Sequence, residues 1–304
     1  MTANHPYLED AKKLNALQDA VLDAVSAARD AISDLFDRHG HPTELLDNTL
    51  MRMCSYSSDR SQAVSYLVSA GFAWDGEIVL RSCYEANARI WFICLAEPSR
   101  RQALVNEFWG ELADIHSYKR SRRAAAPRDT FKRHEQPQDE TVFATLVRGD
   151  LQQFSRAGKK DKKNLEHKWS FTEIVQYLKK NPPDSFDLRD IDSLLHTYGL
   201  ASHLVHADES ALDLMLDRRL RPPAERHALA IAHVCRIFSD QVSLWMITAM
   251  TLAYRFEHKP RVPVSLRQKW ENISTISQPF IERFYASQAD FYACLESSNP
   301  LSKG

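Results

Sequence analysis

Arg81 and Glu85 stand four residues apart in EIVLRSCYEANARIWFI, so on a helix they project within about 40° of each other. Ala88 and Phe92 fall on the same stripe and Ile78 lies about 60° away, so core-type side chains flank the pair. A charge buried without a partner is costly, so this pair requires partners across a helical bundle. The two residues suit either of two roles: a structural ion pair extended by Arg89 one turn on, or a site that stabilises negative charge and handles protons. A second stripe lies in SLLHTYGLASHLVHAD, where Tyr198, Ser202 and His206 follow at i,i+4 steps. Ile191, Leu194, Ala201 and Val205 share the side of Tyr198, which predicts that Tyr198 and Ser202 point inward with His206 at the edge of that face. A bundle would bring Arg81 and Glu85 to these polar tips, whereas His196 and His203 fall on the opposite side of the helix.

Other chemistries find less support. His203-x-x-His206 with Asp208 is a partial ligand set, but Asp208 is displaced and no H-E-x-x-H or cysteine pair completes it, so no metal is expected. Cys83 and Cys94 lie in an apolar helix and read as inert thiols. Ser202 sits in no G-x-S-x-G elbow, which excludes an α/β-hydrolase.

Two basic stretches supply candidate polyanion contacts. YKRSRRAAAPRDTFKRH carries Lys119, Arg120, Arg122, Arg123, Arg128, Lys132 and Arg133, interleaved with Tyr118 and Phe131. RAGKKDKKNLEHK carries Arg156, Lys159, Lys160, Lys162, Lys163 and Lys168. Basic side chains neutralise phosphates and aromatic rings stack on unpaired bases, so RNA is the polyanion these stretches fit; the alternative is a solvated loop.

The elements that must position these residues are helical. Only 8 of 304 residues are glycine, and neither G-x-G-x-x-G nor G-x-x-x-x-G-K occurs, so the backbone cradles of dinucleotide folds and P-loops are excluded and no cofactor is expected. So few glycines also disfavour an all-β architecture. Apolar residues recur at three- and four-residue steps from about Tyr7 to Arg38, and HGHP stops that helix. Further helices are expected through Leu45 to Tyr56, from Glu77 to about Ala96, from Arg101 to Tyr118, over Leu188 to His206, over Pro222 to Phe256 and from Val264 to Leu295. In the last of these Phe280, Phe284, Phe291 and Tyr292 are the expected packing residues. Gly71 to Gly76 marks a turn, the region from Lys119 to Lys168 has the weakest helical pattern, and Gly199 offers a place for close approach by another helix or a partner. The fold class is therefore all-α: an antiparallel bundle in a single helical domain, with N-terminal helices over 1–60, a core over 61–257 holding the basic segment 119–168, and a tail over 258–304. Val242 to Tyr254 is too short to span a membrane and reads as a buried core helix. Net charge is −1 and the five cysteines form no C-x-x-C pair. A cytoplasmic protein with no membrane partner is expected.

GFAWDGEIVLRSCYEANARIWFI, HKWSFTEI and YGLASHLVHAD together resemble a widespread bacterial family of helical proteins of unknown function. The shared pattern is R-S-x-x-E, then W-S, then Y-x-x-x-S-x-x-x-H, here Arg81, Ser82 and Glu85, then Trp169 and Ser170, then Tyr198, Ser202 and His206. That family is distantly similar to the HEPN superfamily, four-helix domains of toxin–antitoxin and phage-defence systems, many of them metal-independent, dimeric RNases. The resemblance implies a HEPN-like core and a homodimer that acts on RNA or meets a cognate protein partner or antitoxin. The superfamily's Arg followed four to six residues later by His is absent from the Tyr198 helix; Arg221 with His227 and Arg128 with His134 have that spacing. Two functions follow. In an endoribonuclease His206 would be the acid–base group and Arg81 would stabilise the phosphorane. Glu85 would orient them, while Tyr198 and Ser202 would position phosphate oxygens. In a non-catalytic interaction or ligand-sensing module, the same five residues would form a buried polar network that fixes helix register.

Overall fold

Leu17, Val21, Ala24, Val25, Ala28, Ile32 and Leu35 share one face of α1 (Leu8–His39), and all are buried. The computed structural model describes residues 8–289 apart from 135–136, 149–158, 184–185, 187, 189–190 and 260; Arg156, Phe291, Tyr292 and Cys294 lie outside the described residues. Among these the chain is all-α, with no strand. After α1 come α2 (Leu45–Ser69), α3 (Ala73–Cys94) and α4 (Pro98–Glu107), then a π-helical turn (Phe108–Leu112) leading into α5 (Ala113–Arg133). α6 (Pro137–Ala144), α7 (Lys159–Lys168), α8 (Phe171–Lys180), α9 (Ser193–His206) and α10 (Glu209–Leu220) follow, and α11 (Pro223–Glu257) and α12 (Val264–Ser287) complete the described chain.

The central helix is α3, as its nearly continuous apolar sequence requires. It packs on α2, α8, α9 and α11, while α1, α11 and α12 pack on one another. Trp91 of α3 is fully buried and donates from Nε1 to Thr248 Oγ1 of α11 at 2.8 Å. Thr248 in turn donates to Asn87 Oδ1, and Asn87 Nδ2 reaches Ser57 Oγ of α2 at 2.8 Å. A second set joins Ser61 and Ser65 of α2 to Gln241 and Trp245 of α11. These serines explain why α2 runs on to Ser69, where the sequence pattern supports a helix only to Tyr56: its buried face is hydroxylated rather than apolar. Gly76, expected in a turn, lies inside α3, where a Cβ would come within 2.9 Å of Val68 Cγ2 on α2. Gly71 does occupy the turn, with φ of 86°.

Three further expectations change. The segment from Lys119 to Arg133 is the greater part of α5, with Pro127 inside the helix, and α7 and α8 are helical too. The helix expected over Arg101 to Tyr118 is interrupted by the π-helical turn, from which Trp109 donates to Thr49 Oγ1 of α2 at 2.7 Å. Among the described residues no other helix approaches Gly199, and nothing lies within 4 Å of the place a Cβ would take. Val242 to Tyr254 is the well-buried C-terminal part of α11, and no helix among the described residues is long and apolar enough to cross a membrane.

Candidate functional site

Arg81 and Glu85 of α3 and Tyr198 of α9 converge. Arg81 Nη2 donates to the Tyr198 hydroxyl at 2.8 Å, and that hydroxyl donates to Glu85 Oε1 at 2.9 Å. Arg81 Nη2 also lies 3.2 Å from Glu85 Oε1, and Arg89 extends the group with Nη2 3.8 Å from Glu85 Oε2. The guanidinium sits over the Tyr198 ring at 4.9 Å, and Phe171 of α8 stacks on that ring at 4.3 Å. Burial and the neighbouring Glu85 charge push the Tyr198 hydroxyl up to about 12, with Arg81 opposing. Tyr198 therefore stays protonated near neutrality and bridges the ion pair rather than acting as a base. The side chains of Arg81 and Glu85 keep 27% and 28% of their exposure, so the group lies at the rim of the bundle.

Ser202 and His206 do not join it. Among the described residues neither side chain makes a hydrogen bond with the other site residues; Ser202 is half-buried and His206 exposed. The buried face of α9 is Leu194, Thr197, Ala201 and Leu204, and Val205, expected inside, is exposed. Steps of four residues drift about 40° round a helix each time. Relative to the centre of that face Tyr198 sits about 80° away, Ser202 about 120° and His206 about 160°. α9 ends at His206, where Ala207 turns into the left-handed region with φ of 47° and Asp208 caps α10 through the Ala211 amide. His203 Nδ1 pairs with Asp208 Oδ2 at 2.5 Å, and among the described residues no group of three His, Cys, Asp or Glu is arranged to hold a metal.

Trp169 and Ser170 have structural places. Trp169 is buried and donates to Glu107 Oε1 at 2.6 Å, next to Lys168 on the same carboxylate, and Ser170 caps α8 by accepting from the Glu173 amide. The four described cysteines are buried; burial pushes Cys83 and Cys94 up to about 12 and Cys235 up to about 11, so these are poor nucleophiles.

The two basic stretches come together although 21 residues separate them. Tyr118 of α5 carries Lys162 of α7 over its ring at 4.7 Å and Arg122 at 5.9 Å, and Lys119 pairs with Glu166 of α7. Arg120 and Arg123 line an adjoining cleft of about 610 Å³ with His116 and Phe143. Arg120, Arg122, Arg123, Lys132 and Lys160 are exposed, and Arg133 is exposed near the end of α5. The side chain of Lys159 lies outside the described residues.

A charged cluster built on a fully buried glutamate was not among the expected site residues. Glu77 of α3 is fully buried, with Oε2 2.7 Å from His233 Nε2 and paired also with Arg236, which reaches Asp240 at 3.2 Å; the last three residues lie on α11. Burial alone would favour the neutral acid, but the His233 hydrogen bond and the Arg236 charge hold Glu77 below the usual carboxylate range. Burial pushes Asp240 up to about 6 against Arg236, and it lowers His233, so a neutral imidazole donates to Glu77. The sequence signal was a glutamate in the second turn of a largely apolar helix and a histidine inside another.

No curated protein matches the chain, and no solved structure matches it. Residues 47–220 match the model of DUF5677, a family of unknown function. That span runs from the start of α2 to the end of α10 and holds Arg81, Glu85, Trp169, Ser170, Tyr198, Ser202 and His206, and the chain belongs to this family.

Proposed function

We propose that the chain is a non-catalytic helical interaction module that takes up RNA on the face formed by α5 and α7. In this reading Arg81, Glu85 and Tyr198 form a clamp that sets the register of α3 against α9. The observation that carries it is the meeting of the two basic stretches across Tyr118, beside a cleft lined by Arg120 and Arg123. Cations on one face, with rings among them, match the phosphates and bases of a single strand. The test is binding of the full chain to a fluorescent single-stranded RNA over a salt series. Arg120→Ala and Arg123→Ala are each expected to weaken binding and to lower the slope of log K against log salt by about 0.7. Unchanged affinity and slope in the double variant would overturn the reading.

A HEPN-like ribonuclease or defence effector is the competing reading, favoured by the partial exposure of Arg81 and Glu85, which leaves the guanidinium within reach of a phosphate. It requires RNA cleavage that persists in EDTA and is lost in both Arg81→Ala and His206→Ala. The interaction module requires RNA to be bound and left intact.

A further inference from the structure

A cavity of about 590 Å³ lies between α1, the α2–α3 turn, α10 and α11, away from both the clamp and the basic face. This volume lies in the range of small-molecule sites. Leu14, Val68, Ile231 and Phe238 supply an apolar floor, and the side chains of Asn15 and Gln18 offer amides from α1. Three arginines line it, Arg218 and Arg219 of α10 and Arg226 of α11, and no aspartate or glutamate does. Among the described residues none of the three forms an ion pair, and the Arg226 guanidinium reaches only the Arg219 carbonyl at 3.5 Å. Elsewhere in the bundle Arg81, Arg236, Arg255 and Arg283 each face a carboxylate. Burial lowers the Arg218 pKa, so its charge is held in a poorly solvated place. One wall is Trp74, packed on His233 at 4.3 Å, and His233 is tied by Glu77 to the buried cluster of α3 and α11, which makes that wall firm.

We propose that this cavity binds a small amphipathic organic anion, its phosphate or carboxylate head on Arg218, Arg219 and Arg226 and its apolar body on the floor beside Trp74. Arg218 is half-buried and Arg219 and Arg226 are exposed, so three like charges repel one another around an apolar hollow that solvent reaches, and an anion that brings its own apolar surface relieves the repulsion while covering the floor. The shared chemistry has two sources, a fatty carboxylate and a nucleoside monophosphate.

The experiment titrates the full chain by calorimetry with decanoate, adenosine 5′-monophosphate and inorganic phosphate, with thermal melts alongside. At least one organic anion is expected to bind at least about tenfold more tightly than phosphate and to raise the melting temperature; which one binds identifies the source. Arg218→Gln with Arg226→Gln is expected to weaken that binding about tenfold or more. Ala230→Phe, at an exposed position of α11 that lines the cavity one turn beyond Arg226, narrows the space while keeping all three arginines and is expected to abolish binding while melting as the parent does. Absence of binding by both organic anions below about 1 mM, phosphate binding as tightly as either, or binding that survives Ala230→Phe would each overturn the proposal. Arg120→Ala with Arg123→Ala is expected to leave this binding unchanged, which separates it from RNA uptake.

Discussion

Tyr198→Phe removes one oxygen and leaves the ring, so the Phe171 stack and the Arg81 contact over the ring persist. Two hydrogen bonds to charged partners disappear, at 2.8 Å from Arg81 and 2.9 Å to Glu85. Buried bonds of that kind contribute about 1.5–3 kcal/mol each, but here the ions keep each other at 3.2 Å and about a quarter of their exposure, so water replaces much of the loss. The net cost is about 1–2 kcal/mol, or a fall of about 2–3 °C in Tm for a chain of this length. Urea and thermal melts of the full chain measure it. A double-mutant cycle with Glu85→Gln is expected to show coupling of about 1 kcal/mol, because the two groups share one bond. RNA affinity should not change. A cost below about 0.3 kcal/mol, or strict additivity with Glu85→Gln, would refute the clamp; loss of RNA binding with unchanged stability would move the residue from framework to recognition.

Gly76→Ala is expected to destabilise the fold by about 1 kcal/mol, because its Cβ would press on Val68 at 2.9 Å, whereas Gly199→Ala, with nothing within 4 Å, should stabilise α9 by about 0.5–1 kcal/mol; comparison of urea midpoints decides both. Asp10 of α1 is held at about 2, against the ordinary 3.8, chiefly by its Arg283 hydrogen bond and with burial opposing. A depressed carboxylate stabilises the fold fully above its unfolded pKa and loses that contribution as pH falls through the folded one. The stability gap between the parent and Arg283→Met should thus be constant above about pH 5 and close between about pH 4 and 2, and a gap that does not depend on pH there would refute the assignment.

Where an element's buried face is apolar, its sequence showed it. α1, α11 and α12 follow from periodicity because apolar residues mark one side of each, and α3 follows from an apolar run that continues almost all the way round. α2 was only half legible, since Ser57, Ser61 and Ser65 satisfy one another, Asn87, Gln241 and Trp245 inside the core, and hydroxyls in sequence look like solvent-facing residues. α5 was obscured in the same way by its charge: its helix is continuous from Ala113 to Arg133, but only Ile115, Ser121 and Ala124 are buried. So few apolar anchors leave no clear stripe to read.

The site was legible to the depth of one helical step. The i,i+4 spacing of Arg81 and Glu85 keeps both on the side that α9 approaches, and Tyr198 lies near enough to the buried face to reach them. Extending the same spacing twice more does not extend the site, because each step turns a further ~40° and the apolar face of α9 is centred on Ala201 rather than on the tyrosine stripe. The basic stretches show the opposite case. Nothing in their spacing links Tyr118 to Lys162, and only side-chain contacts between α5 and α7, Lys162 over Tyr118 and Lys119 with Glu166, bring them together. The scarcity of glycine bears on all three places where an anion could sit. At the clamp, the basic face and the arginine-lined cavity, the available charges are arginine and lysine side chains on helices. Specificity in such sites depends on how firmly neighbouring rings and carboxylates hold those side chains. By that measure the clamp, where Arg81 is held by Glu85 and Tyr198, is the most rigid of the three and the least free to take a ligand, whereas Arg218, Arg219 and Arg226, without a carboxylate among the described residues, are the most open to one.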